Sequence, residues 1–180
     1  MKQAAVLVID VQQGLFDPAP RPFEADAVIE RINEITMWAL ENSIPVIFIQ
    51  HESPGSILAY DTQGWQLQDE LETSRENIIV RKTTPDSFLK TDLEAVLKER
   101  HVEHLIVCGY ASEFCVDTTV RRAAGLGYSV DLVSDAHTTH DKPHSTAEQI
   151  RLHHNCTLPN IKSFGVKISA VATADLIRSA

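Results

Sequence analysis

Short, unbroken apolar runs alternate along this chain with stretches of helical spacing, and that alternation restricts it to an α/β fold. Ala4 to Ile9 is apolar throughout and ends in Asp10, the pattern of a strand buried on both faces. From about Glu24 to Asn42 the apolar residues Ala27, Val28, Ile32, Ile35, Trp38 and Ala39 fall on one helical face. Pro45 to Ile49 repeats the strand pattern, and a polar stretch from His51 to about Leu67, containing Ser53-Pro54-Gly55-Ser56, reads as a long loop of the kind that often carries function. Further strands are expected at Ile78–Val80, Leu105–Cys108, Tyr128–Val133 and Val166–Ser169. Helices are expected over Asp92–Arg100, Cys115–Ala124 (closed by Gly125-Leu126-Gly127) and Ser145–His154. The sum is a three-layer, doubly wound, mostly parallel sheet with helices on both faces, and a single domain over residues 1–180.

The charge narrows the partners. A net charge of -9 and a pI near 5.3 would repel nucleic acid and anionic membrane surfaces, which leaves small molecules or proteins. The apolar stretch at the amino terminus is too short for a secretory signal and no run approaches a membrane span, so a cytoplasmic protein is expected. The 3 cysteines match neither CxxC nor zinc-ribbon spacing and fit a reducing compartment.

In a doubly wound sheet, ligands bind beyond the carboxyl ends of the strands. Asp10, Lys82 and Cys115 all fall there: after the first strand, after the third, and just past the fourth. Each has a plainer use. A carboxylate after a strand caps turns, a lysine is commonly a solvated charge, and a free cysteine packs junctions. Together they can do definite chemistry. The carboxylate takes the thiol proton, the ammonium holds the carboxylate and favours the thiolate, and the thiolate attacks an electrophilic carbon. Cys115 is also expected to open a helix, where free N–H groups would lower its pKa.

The segments Val8-Ile9-Asp10-Val11-Gln12, Lys82 with Ser87-Phe88, and Gly109-Tyr110-Ala111-Ser112-Glu113-Phe114-Cys115-Val116-Asp117-Thr118-Thr119 together resemble the isochorismatase-like cysteine hydrolase superfamily, with its nicotinamidase and N-carbamoylsarcosine amidase relatives. The resemblance spans nearly the whole chain. It implies a six-stranded sheet of order 3-2-1-4-5-6, a catalytic triad of Asp10, Lys82 and Cys115, a cis peptide at Tyr110-Ala111, and an oxyanion hole from the Ala111 and Cys115 amides. The implied reaction cleaves a C–N bond of a small amide, lactam or ureide through a thioester, with no cofactor. A homo-oligomer, dimer or tetramer, is implied as well. The loop from Gln50 to Trp65 and the run Arg121-Arg122-Ala123 look most like the streptothricin-hydrolase branch, which suggests a cyclic amide substrate.

Nicotinamidases of this superfamily bind a metal through Asp-x-His and a further His. Gln50-His51-Glu52-Ser53 lacks that pair, so no metal is expected, and His51 and Glu52 are read as residues that line or cap the pocket. His137, His140 and His144, with His153, His154 and Cys156 further on, are too irregularly spaced for structural zinc. Ser134-Asp135-His137 lacks a G-x-S-x-G elbow, and neither G-x-G-x-x-G nor a Walker-type loop occurs. Candidate pocket walls are Gln12, Phe16, Trp65, Phe88, Tyr110 and His137. Two rival readings stand beside the amidohydrolase: a vinyl-ether hydrolase of the isochorismatase type, whose members commonly lack the cysteine, and a non-catalytic small-molecule-binding relative. A redox thiol protein would need a resolving cysteine, and no CxxC pair supplies one.

Overall fold

The run Ala4–Ile9 forms β1, and every one of its residues is buried. Side chains alternate across a strand, so Ala4, Val6 and Val8 enter one core while Ala5, Leu7 and Ile9 enter another on the opposite face. The first core is closed by α2 (Ala25–Glu41) and α6 (Thr173–Arg178), the second by α3 (Leu93–Glu99) and α4 (Asp117–Gly125). The structure, a computed structural model, describes residues 3–74 and 76–178; Met1, Lys2, Arg75, Ser179 and Ala180 lie outside the described residues, and with them the ends of the expected 1–180 domain.

Five more strands complete the sheet: β2 (Val46–His51), β3 (Ile78–Lys82), β4 (His104–Tyr110), β5 (Ser129–Thr138) and β6 (Ile168–Val171). Their order is β3-β2-β1-β4-β5-β6 and every pairing is parallel. The chain therefore reverses direction across the sheet at β1 and β4, which opens a crevice beside their carboxyl ends. No helix among the described residues is long and apolar enough to cross a membrane.

Several boundaries differ from expectation. β5 runs on to Thr138 because the polar groups of its second half are satisfied inside the fold: Asp135 Oδ1 accepts from the Thr173 amide and hydroxyl, and His137 is enclosed by polar partners. Such residues hide the apolar pattern of a buried strand. The short helix α1 (Gln13–Phe16) and α6 have too few residues to show a period, and neither was expected. α5 (Ala147–Thr157) begins two residues later than read, at a capping box in which Thr146 Oγ1 accepts from the Gln149 amide and the Gln149 side chain takes the Thr146 amide.

The strand expected to stop at Gly109 passes through it. Gly109 has φ +113, and a Cβ there would lie 2.1 Å from the Ile9 carbonyl oxygen. Only glycine lets β4 approach β1 this closely at the point where both strands deliver their last residues to the crevice.

Candidate active site

Lys82, the last residue of β3, is buried, and its side chain is 0% exposed. A buried ammonium needs partners for its charge and its three N–H groups. Nζ lies 2.7 Å from Asp10 Oδ2, 3.2 Å from Cys115 Sγ and 3.2 Å from His51 Nδ1. Burial first, and the Lys82 charge second, push the His51 pKa down, so the imidazole is neutral and Nδ1 accepts. The ammonium is thus fully engaged, and Asp10, Lys82 and Cys115 meet at the carboxyl edge of the sheet.

Asp10 follows β1 with a left-handed φ of +52, which turns its side chain out of the strand path toward Lys82. One carboxylate oxygen holds the ammonium. The other, Oδ1, is buried away from any cation, and a hydrogen bond between the Cys115 thiol and the Asp10 carboxylate helps hold the thiol pKa up.

Cys115 does not open a helix. The peptide Tyr110-Ala111 is cis, the chain then makes a wide π turn over Ser112–Val116, and α4 begins only at Asp117. The Ala111 carbonyl takes bonds from the Phe114 and Val116 amides, on either side of Cys115. The expected lowering of the thiol pKa is corrected by the same geometry: burial, reinforced by the Asp10 carboxylate, pushes Cys115 up to about 12 against the opposing pull of Lys82. The group at rest is a thiol.

The π turn is pinned from below. Ser112 Oγ lies 2.8 Å from His137 Nδ1, and His137 Nε2 lies 2.9 Å from Asn155 Oδ1. Asn155 Nδ2 donates to the Ser134 carbonyl, which leaves its Oδ1 to accept from His137 and His137 Nδ1 to accept from Ser112. Thr139 Oγ1 donates to Glu113, which also pairs with Lys142 at 3.2 Å.

Above the trio lies a cavity of about 240 Å³. Asp10, His51 and Cys115 form its floor; Leu15 of α1, Leu58 of the long loop, Pro85, Tyr110 and Phe114 form its walls, with Ala111 beside Cys115. Of the expected wall residues, Tyr110 is there, and the others stand behind. Gln12 Nε2 donates to the His51 and Trp65 carbonyls while its Oε1 accepts from the His51 amide, tying the long loop to β1. Phe16 supports the Tyr110 ring edge-on at 5.9 Å. Trp65 is a buried plug against Tyr60, Phe88 stacks on Tyr128 in the second core, and His137 is the support just described. Glu52 turns outward to Arg81 at 2.8 Å. Leu15, Leu58 and Pro85 carry no sequence signal, whereas Phe114 could have been read from its place next to Cys115.

Donor atoms of Asp10, His51 and Cys115 lie within 4.8 Å of one another, close enough for a metal ion. The Lys82 ammonium already touches all three, so a divalent cation would have to displace a buried like charge. The remaining histidines are dispersed: His140 Nδ1 meets the Tyr110 hydroxyl at 2.8 Å, and His144, His153 and His154 border a separate hollow.

The isochorismatase domain family matches residues 4–159. A streptothricin hydrolase of Streptomyces noursei is 39% identical over 140 residues, 77% of this chain and 51% of that protein, so the chain spans about half the length of this relative. A ureidoacrylate amidohydrolase of Agrobacterium fabrum is 30% identical over 99 residues, 55% of this chain and 43% of that protein. A solved structure described as an isochorismatase family protein superposes with a TM-score of 0.88 at 33% identity, covering 96% of this chain and 99% of the other. The order of the strands and the domain match agree, and the chain belongs to the isochorismatase family.

Proposed function

We propose that this protein is a cysteine amidohydrolase, cleaving a C–N bond of a small amide, lactam or ureide, with Asp10, Lys82 and Cys115 as its catalytic residues. The observation that carries the reading is the Lys82 ammonium in contact with both Asp10 and Cys115 at the floor of the cavity.

The resting thiol sets the order of events. Asp10 takes the Cys115 proton as Sγ attacks the substrate carbonyl carbon, and Lys82 stabilises the thiolate as it forms. The tetrahedral oxyanion is held by the Ala111 and Cys115 amides, each such donor being worth roughly 3–4 kcal/mol. Asp10 passes its proton to the departing nitrogen, which leaves as ammonia or an amine and yields a thioester. Water, deprotonated by Asp10, then adds to the thioester; the acid leaves and Cys115 regains its proton. His51 keeps Lys82 oriented throughout, since its neutral Nδ1 takes the third ammonium proton.

Ammonia or amine release across a panel of amides, lactams and ureides, with wild type beside Cys115→Ala, tests the reading. Release that disappears in the variant supports it. Release that survives in the variant would mean that the C–N bond is broken without a Cys115 thioester, and would overturn the role given to the thiol. Failure of the folded protein to turn over any compound would favour a binding protein.

A further inference from the structure

Resting on the amidohydrolase reading, we infer that the cavity selects an uncharged, compact substrate, an amide or lactam that keeps an N–H and has an apolar body, and that it rejects substrates carrying a carboxylate near the scissile bond. The walls are the first reason. Leu15, Leu58, Pro85 and Phe114 offer only carbon, and the Tyr110 hydroxyl is occupied by His140 Nδ1 at 2.8 Å.

The cations are the second. Lys82 lies beneath the cavity, its side chain 0% exposed, and its three protons are taken by Asp10, His51 and Cys115. Lys142 stands 5.4 Å above the Phe114 ring but pairs with Glu113 at 3.2 Å. Arg81 lies over Tyr60 and is held by Glu52 at 2.8 Å. A substrate carboxylate would therefore lose its water without gaining an ion partner. It would also come near the Asp10 carboxylate, a like charge. The same carboxylate suits a neutral substrate, because the oxygen that Lys82 does not hold has a lone pair for the N–H beside the carbonyl under attack besides the one that receives the thiol proton. The volume of about 240 Å³ is below the roughly 300–1,000 Å³ of sites for drug-sized ligands, so the part of the substrate that enters is small.

Iodoacetamide and iodoacetate test this without any turnover. They are nearly the same size and differ by one charge; each forms an S–C bond as iodide leaves and the thiol proton passes to a base or to water. Cys156 is exposed and serves as a reference within the same molecule, each site being followed by peptide mass spectrometry. The ratio of the iodoacetamide rate to the iodoacetate rate is expected to be at least about tenfold higher at Cys115 than at Cys156, the factor that roughly 1.4 kcal/mol of discrimination gives. Equal ratios, or a preference for iodoacetate at Cys115, would overturn the inference. Phe114 is 54% exposed, so Phe114→Lys places a cation on the wall with little risk to folding. It should bring the Cys115 ratio down toward that of Cys156, and a ratio it leaves unmoved would count against charge selection by the walls. Butanamide against succinamate, and 2-pyrrolidinone against pyroglutamate, give the same comparison in turnover. If none of these amides is cleaved while the alkylation ratio holds, the hydrolase reading fails and the cavity's preference stands.

Discussion

Ser112 Oγ and His137 Nδ1 meet at 2.8 Å with both residues wholly buried, which makes His137 part of the support beneath the turn bearing Cys115. Burial lowers the His137 pKa from the ordinary 6.5 to about 4. The unfolded chain takes up a proton near pH 6.5 that the folded protein refuses until about pH 4, so stability is full above that window and is lost as pH falls through it. The loss from this residue is about 3 kcal/mol. Urea unfolding at several pH values from 7.5 to 4 should show it, and His137→Gln, which does not titrate, should flatten that part of the dependence.

The Asp10 carboxylate acts on Cys115 in two opposed ways, and Asp10→Asn separates them. In the proposed mechanism it is the base, so the variant should lose about 100-fold or more in kcat. As a neighbouring negative charge it raises the thiol pKa. Its neutralisation should shift the alkaline rise in Cys115 alkylation to lower pH while catalysis falls. A fall in both would mean that Asp10 holds the thiol in position rather than setting its proton affinity.

Lys82→Met leaves the Asp10 carboxylate buried without its cation. Breaking a buried pair in this way costs roughly 3–5 kcal/mol, which chemical denaturation would register. In the double variant Asp10→Asn, Lys82→Met the second change no longer strands a charge, so the combined loss should be smaller than the sum of the two single losses.

Gly109 and Gly127 both have positive φ, at +113 and +97, yet alanine should be tolerated at only one. Nothing lies within 4 Å of a Cβ at position 127, so Gly127→Ala carries backbone strain alone, about 1–3 kcal/mol. A Cβ at position 109 would overlap the Ile9 carbonyl at 2.1 Å. Gly109→Ala should cost more than Gly127→Ala in denaturation midpoint, or fail to give soluble protein.

What could be read from the sequence follows from what leaves a periodic trace. β1, α2 and β2 are long and buried, and their apolar spacing located them within a residue or two. The strand order came from the family resemblance, because pairing depends on contacts between distant segments. Asp10, Lys82 and Cys115 were legible because each ends or follows a strand of a parallel sheet, so topology alone brings them to one edge. The cavity walls were not. Leu58 sits in a loop shaped by Gly64, whose missing Cβ would otherwise lie 2.3 Å from the Ile57 carbonyl, and such a contact has no period to detect. The thiol pKa was misjudged for a related reason: helix entry was inferred from spacing, while the π turn and the enclosing burial arise only in three dimensions.

The close approach of Gly109 to Ile9 divides the site into a frame and a lining. Main chain fixes how far Asp10 stands from the turn that carries Cys115, whereas Leu15, Leu58 and Pro85 come from segments that take no part in that contact. On the amidohydrolase reading, changes in the lining can alter which molecule enters without displacing Asp10, Lys82 or Cys115, so a lineage built on this frame is free to exchange substrates one wall residue at a time.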